Sequence, residues 1–289
     1  SYELLFNRKQ KQVIKEAGIT LLFYRTTPLK HLTSPIRIFI RNHRKVLLID
    51  NTISWLGGSI VGKEFLSWRD YTWRVKSSSF GAELSRELQK QYDRLETGKR
   101  ILAPFAKINN QLRLVGNSPG IGNRHVYEQI SEHILLANGT IYMVSPYFTP
   151  PTRLYRVIKE KLRSGSRMVL LTPKVTDHSI ADWARWPYLY QLHRLGMEVW
   201  VSNDMNHAKM IVADQWATFG STNLDHLSLI FNHELNIDTE SKDLVTLIES
   251  QIESWLHDGS YALLNLFEVK KMKPSAIKRL LGIIFKFIT

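Results

Sequence analysis

The sequence predicts an α/β protein made of two related halves that share one site. Three observations carry that prediction. Residues 43–50 read His-Arg-Lys-Val-Leu-Leu-Ile-Asp and residues 207–214 read His-Ala-Lys-Met-Ile-Val-Ala-Asp, so His-x-Lys, four residues and Asp occurs twice. Both copies run into a glycine turn, Gly57-Gly58-Ser59-Ile60 and Gly220-Ser221-Thr222-Asn223, and a carboxylate stands 27 residues after each His, at Asp70 and Glu234. Short apolar runs also alternate with segments of helical period along the chain, the pattern of layered α/β folds. Matched offsets in two places mark an internal repeat.

The elements follow in order. Residues 1–17 read as a helix, 20–24 as a strand and 25–36 as a loop. Strands follow near 37–41, 44–49, 53–56 and 71–76, each a short β-branched or aromatic run closed by a turn signal. A helix over 79–96 sets Leu84, Leu88 and Leu95 on one side, and Lys99 to Asn110 reads as a linker. The second half predicts helices at 124–137, 152–164, 180–195 and 242–257. Its strands fall at 140–145, 167–171, 197–201, 208–213, 216–219 and 234–239. Taken from Gln111, this half spends about 95 residues before His207, whereas 42 precede His43 and the chain opens on Ser1. The first half is therefore expected to lack an initial strand and helix and to leave a sheet edge open.

The repeat has a legible chemistry. Side chains alternate along a strand, so His43 and Lys45 face one way, as do His207 and Lys209. An imidazole acts as nucleophile or general acid near neutral pH, and an ammonium holds a phosphoryl oxygen. Two such pairs facing each other across a pseudo-two-fold axis make a phosphoryl-transfer site, in which one His attacks and the other protonates the leaving alkoxide.

At these residues the chain resembles the phospholipase D superfamily, defined by paired His-x-Lys-x4-Asp motifs. Within it the chain looks most like the bacterial cardiolipin synthases. Asn42-His43-Arg44-Lys45 and Trp68-Arg69-Asp70 resemble the first-half signature. Ser145-Pro146-Tyr147-Phe148-Thr149-Pro150 resembles the Thr-Pro-Tyr-Phe-x-Pro segment. Trp216 to Asp225 and Asn232-His233-Glu234-Leu235-Asn236 resemble the second motif and its trailing carboxylate. The resemblance covers roughly residues 15–260. It implies two pseudo-symmetric phospholipase D-like α/β/α sandwich halves with the active site at their interface. The expected division is 1–105 for the first half, N-terminally incomplete, 106–265 for the second, and 266–289 for a basic amphipathic C-terminal helix.

The resemblance also implies roles. His43 is the nucleophile and forms a phosphohistidine, while His207 protonates the departing glycerol and deprotonates the incoming hydroxyl. Lys45, Lys209 and Asn223 hold the non-bridging oxygens, with Ser221, Tyr147 and Phe148 as further substrate contacts. Asp70 and Glu234 orient the imidazoles, and Asp50 and Asp214 are structural. The lysines supply the positive charge, so neither metal nor cofactor is expected. The implied activity is a phosphatidyltransferase that makes cardiolipin from two phosphatidylglycerols and releases glycerol. The alternatives are a phosphodiesterase cutting phospholipid or nucleic acid, and a degenerate lipid-binding relative. Two departures from the family pattern bear on this. Ile60 stands where the second copy has Asn223, which removes one phosphate donor, and the Asp-to-Gly interval is six residues in the first copy and five in the second.

Composition bounds the remainder. The chain has 289 residues, 44% apolar and 22% charged, which suits two globular domains. It has no cysteine, which excludes disulfide and thiol chemistry. No apolar run reaches the ~20 residues of a spanning helix. The net charge of +13 favours anionic partners. Pro274-Ser275 opens a last helix with Ile277, Leu280, Leu281, Ile284, Phe285 and Ile288 at helical spacing among Lys270, Lys271, Lys273, Lys278, Arg279 and Lys286. Such a helix lies well in an anionic interface, where each basic residue contributes ~1 kcal/mol. The expected partners are thus phosphatidylglycerol or another anionic phospholipid and a membrane surface, with nucleic acid not favoured. The expected location is the bacterial inner (cytoplasmic) membrane, and the oligomeric state is open. Trp183, Trp186 and Tyr188 read either as an aromatic wall for acyl chains or as packing, His233 as a packing or surface histidine, and Gly120 to Asn123 as a loop.

Overall fold

A computed structural model describes residues 7–22, 40–60, 62–97, 103–109, 111–119 and 122–288. The chain begins with helix α1 (Arg8–Glu16), whose N-cap Asn7 and Gln10 form a reciprocal capping box. Strands β1 (Val46–Ile49), β2 (Ile53–Gly57) and β3 (Thr72–Lys76) form an antiparallel sheet, and helix α2 (Ser78–Thr97) follows. The second half supplies β4 (Phe105–Lys107), β5 (Leu112–Asn117), α3 (His125–Leu136), β6 (Ile141–Val144), β7 (Phe148–Thr149) and α4 (Thr152–Arg163). It continues with β8 (Met168–Pro173), α5 (Ser179–His193), β9 (Glu198–Ser202), β10 (Met210–Ala213), β11 (Trp216–Gly220) and β12 (Leu224–Asp225). The chain closes with β13 (Glu234–Thr239), α6 (Lys242–His257), β14 (Tyr261–Leu263), α7 (Leu266–Lys271) and α8 (Ala276–Ile288).

Nine of these strands form one sheet in the order β14-β9-β8-β6-β10-β11-β13-β5-β4, parallel only through β6, β8 and β9. Its central strands are apolar without interruption because both faces are covered. Ile141, Met143, Met168 and Leu170 point into a core with α3, α4 and α5. Their neighbours Tyr142, Val144, Val169 and Leu171 point into a second core with α6. That is an α/β/α sandwich. The second core also takes in Leu56, Phe80 and Leu84 from the first half, and Trp73 stacks on Phe219 with ring centroids 4.4 Å apart. The two halves therefore share one hydrophobic interior.

The repeat is visible as structure. In both copies the Asp of the motif turns a hairpin in the left-handed region, with φ of 50° at Asp50 and 52° at Asp214, a conformation that Asp and Asn tolerate better than most residues. Ile49 pairs with Ile53 across a loop of Asp50, Asn51 and Thr52, while Ala213 pairs with Trp216 across Asp214 and Gln215 alone. The extra residue is spent in the loop. Val46 still faces Leu56 as Met210 faces Phe219, so both glycines that follow reach the same place. The unequal Asp-to-Gly interval is a difference of turn and leaves the site undisturbed. The Asp214 carboxylate accepts from the backbone N–H groups of Asn138 and Gly139 at 2.8 and 2.7 Å.

Several expectations needed correction. Residues 19–22 form no strand; 23–24 and 37–39, where strands were expected, lie outside the described residues, as do 1–6 of the first helix. The expected linker contains β4, which pairs with β5 and so extends the nine-stranded sheet. On α2 the inward face runs through Phe80, Leu84 and Glu87, whereas Leu88 is exposed. Residues 266–288 form two helices separated by Pro274, not one. The first half is the smaller among the described residues, and Leu47 and Ile49 on the outer face of β1 are exposed where their counterparts in β10 are covered.

Candidate active site

The two motifs are brought together edge to edge. Asn42 bridges His233 in parallel, and Asn206 bridges Arg69 in the same way. The His43 N–H donates to the His233 carbonyl at 2.9 Å, and the His207 N–H donates to the Arg69 carbonyl at 2.6 Å. In each case the residue before a motif His pairs with the residue before the carboxylate of the other half. The equal 27-residue offsets make this reciprocal arrangement possible.

Its consequence is that the carboxylates cross over. His43 Nδ1 lies 3.0 Å from both oxygens of Glu234, and His207 Nδ1 lies 2.8 Å from Asp70 Oδ2. A carboxylate only accepts, so each Nδ1 carries the proton and each Nε2 is left for chemistry. The lysines follow the same symmetry: Lys45 Nζ donates to the carbonyl of His43 at 2.8 Å, and Lys209 Nζ donates to that of His207. Arg44 and Arg69 fasten the crossing. Arg44 Nη2 donates to Ser118 at 3.2 Å, and Arg69 donates to Ser260 and Asp258 at 2.8 and 3.2 Å.

The surroundings of the two imidazoles differ. The His43 side chain is 24% exposed and that of His207 only 3%. Burial, and then the charge of Lys209, push His207 down to about 4 against the pull of Asp70. Burial lowers Lys45 to about 8 and Lys209 to about 7, although Glu234 and Asp70 oppose it. Burial alone would raise Glu234, yet His43, Lys45 and the Ser221 hydroxyl hold it below the usual carboxylate range. A bound anion would offset this burial and restore protons to both lysines.

That gives a pH dependence. An anion bound between Lys45 and Lys209 raises both, so binding takes up protons. A phosphodiester monoanion such as dimethyl phosphate should bind best below pH 7 and weaken by about tenfold or more between pH 7 and 9, with the sign set by linkage. Calorimetry in two buffers of different ionisation heat would read the proton uptake; affinity flat to pH 9 would contradict it.

Of the other expected contacts, one end of the buried Asn223 amide has no protein partner, while the other reaches Ser228 Oγ at 3.4 Å. Which end carries the nitrogen is an assignment, so the open end can be a donor. The Ser221 hydroxyl is committed to Glu234 and to the Leu235 N–H, which makes it a support for the carboxylate and corrects its expected role as a substrate contact. Phe148 is buried in the larger core and also lines the small cavity beside Tyr147. Tyr147 donates to Asp177 and borders a cavity of about 100 Å³ together with His178 and Asp225. His233 is buried and shares a 2.9 Å hydrogen bond with Ser118. Sequence reasoning missed Asn206, whose side-chain oxygen accepts from the Ala208 N–H at 2.9 Å and shapes the approach to His207. The signal was present, since Asn precedes both motif histidines. It also missed the seating of Trp68 beside His207, ring centroids 5.2 Å apart. Among the described residues no group of three or more His, Asp or Glu could hold a metal ion.

Fold and paired histidines together resemble those of phospholipase D-like proteins. The solved structure of a phosphatidylserine synthase from Haemophilus influenzae superposes with a TM-score of 0.68 at 14% identity, over 88% of this chain and 72% of that one. The polyphosphate kinase of Porphyromonas gingivalis gives 0.62 at 12% identity, over 98% and 42%. Residues 130–256 match the family described as Cardiolipin synthase, PLD-like domain. Curated relatives are also cardiolipin synthases: that of Listeria welshimeri is 29% identical over 250 residues, 81% of this chain and 51% of the relative. That of Oceanobacillus iheyensis is 27% identical over 249 residues, 82% and 52%. The chain spans about half the length of these relatives.

Proposed function

We propose that the chain is the catalytic part of a phosphatidyltransferase that joins two phosphatidylglycerols into cardiolipin and releases glycerol. The reciprocal His–carboxylate pairs carry this reading, because they supply two imidazoles with free Nε2 atoms beside two lysines. The similarity to cardiolipin synthases supports the choice of substrate. In the first step His43 Nε2 attacks phosphorus, the bond to the glycerol oxygen breaks, and His207 gives that oxygen a proton. In the second step a hydroxyl of another phosphatidylglycerol loses its proton to His207 and attacks, and the phosphorus–nitrogen bond breaks. The greater exposure of His43 suits the nucleophile. His207 takes its proton when the substrate phosphate offsets the charge of Lys209, and Asp70 then stabilises the imidazolium. Lys45, Lys209 and Asn223 hold the non-bridging oxygens. We read the chain through α2 and the stretch from β4 to residue 265 as the two contributing halves, since β4 straddles the expected boundary at 105/106, and 266–289 as the contact with an anionic membrane surface, in keeping with a place at a bacterial inner membrane. No helix of the described residues is long and apolar enough to cross a membrane.

The test is a product assay on liposomes of labelled phosphatidylglycerol, with His207→Ala as control. Cardiolipin with an equal amount of free glycerol supports the proposal. Phosphatidic acid in place of cardiolipin would make water the acceptor and the protein a hydrolase.

Gly58 offers a second check. It occupies the place that Ser221 has in the other copy, and a Cβ there would meet Asp70 Oδ1 at 2.3 Å. The shorter Asp70 faces Gly58, as the longer Glu234 faces Ser221. Gly58→Ala should displace Asp70 from His207 and lower kcat by about 10²-fold, the cost of a misplacement near 1 Å, with little change in melting temperature. Unchanged turnover would mean that Asp70 can shift without cost.

A further inference from the structure

A groove of about 990 Å³ runs between α4, α5 and α8 and shares no lining residue with the histidine site. Its volume lies at the top of the range of ligand clefts, roughly 300–1,000 Å³. The floor is aromatic: Tyr155, Trp183, Trp186 and Tyr190. The rim is basic: Lys159, Arg163, Arg194 and Arg279, and among the described residues no carboxylate lines it.

The polar ends of the floor are already occupied. Trp186 Nε1 donates to the Val269 carbonyl at 2.9 Å, and the Tyr155 hydroxyl donates to Gln191. What the groove offers is therefore apolar surface bordered by cations. Helix α8 is seated closely against α5, since a Cβ on Gly282 would lie 2.9 Å from Ala184 N. Beyond the groove α8 carries Ile277, Leu280 and Leu281, exposed by 74, 59 and 45%.

We propose that this groove binds one molecule of an anionic phospholipid as a site separate from the reaction centre. The phosphate is held by the guanidinium rim, where charge-assisted and bidentate hydrogen bonds are strongest, and an acyl chain lies along the aromatic floor. A single nucleic-acid strand would also suit cations and aromatic rings, but it needs open ring faces. Here Trp186 and Tyr190 stack on one another at 5.2 Å and Tyr155 abuts Tyr188 edge-on at 5.0 Å. The apolar row on α8 adjoins the groove and matches the remaining chain of a lipid still partly in its bilayer. The inference does not depend on turnover.

The test uses the whole chain and dihexanoyl phosphatidylglycerol below its micelle concentration, followed by calorimetry. Arg163 and Arg194 are both exposed, so Arg163→Glu with Arg194→Glu should leave the melting temperature unchanged. That variant should bind the lipid at least tenfold more weakly at one of two sites, while His43→Asn with His207→Asn keeps the groove site intact. If the arginine pair destabilises the fold, Arg194→Ser alone serves, with a smaller loss expected. Four results would overturn the proposal: isotherms of the arginine variant matching the parent; loss of all binding in the histidine variant; equal binding of dihexanoyl phosphatidylcholine; or equal affinity for inorganic phosphate or a thymidine oligonucleotide at the groove.

Discussion

Replacing His43 with asparagine is expected to abolish turnover, by about 10⁴-fold or more and towards the ~10⁶ seen when a covalent nucleophile is removed from an enzyme whose residues act as a unit. The substitution should not unfold the protein. Asn keeps a polar group near Glu234, and the backbone bond from residue 43 to the His233 carbonyl does not involve the side chain. The decisive readout is covalent. Brief exposure of the parent protein to phosphatidylglycerol labelled in phosphorus, followed by denaturation at alkaline pH, should leave acid-labile label on the protein, and the His43→Asn variant should carry none. Label that persists in the variant would assign the nucleophile to His207.

The second large effect comes from the crossed carboxylates, and it separates the two imidazoles. Glu234→Gln acts on His43, from which it is separated by 191 residues of sequence. Asp70→Asn acts on His207 in the same way. Each amide can present its NH2 group, turn the imidazole into the wrong tautomer and take away the charge that supports the imidazolium, an exchange that can cost about 10⁴-fold in kcat. The two losses should respond differently to the leaving group. A phosphatidyl ester of p-nitrophenol needs no proton on departure, so Asp70→Asn should recover a rapid burst of nitrophenol with this substrate, while Glu234→Gln stays slow. The reverse pattern would exchange the roles of His43 and His207. Equal recovery in both would mean that neither carboxylate serves one imidazole alone.

Much of this was legible in the sequence. Most strands and helices from Val46 to His257 fall near the expected positions because buried runs such as Met210–Ala213 and amphipathic stretches such as Thr152–Arg163 have clear periods, whereas the strand Leu112–Asn117 was not expected at all. That the two His-x-Lys copies would meet at one site was also legible, since such a motif twice at equal offsets has few other readings. Which carboxylate serves which histidine was not. Sequence separation favours Asp70 for His43, and only the pairing of Asn42 with His233 and of Asn206 with Arg69 shows the exchange. Short strands such as Phe105–Lys107 and Tyr261–Leu263 escaped notice because three residues carry no period, and their formation rests on a neighbour already in place. Ser221 looked like a phosphate contact because its position in a glycine turn says nothing of the glutamate that its hydroxyl supports.

Were the two motif copies supplied by two identical chains, the exchange of carboxylates would give both histidines the same surroundings, and nothing in the protein would decide which attacks. Joining the copies in one polypeptide lifts that degeneracy. Each position can then differ from its counterpart: glycine at 58 and serine at 221, aspartate at 70 and glutamate at 234, isoleucine at 60 and asparagine at 223. The open His43 and the enclosed His207 are the outcome, and on the proposed mechanism they would give the reaction a direction in space, with one face for forming the bond to nitrogen and the other for handling the proton.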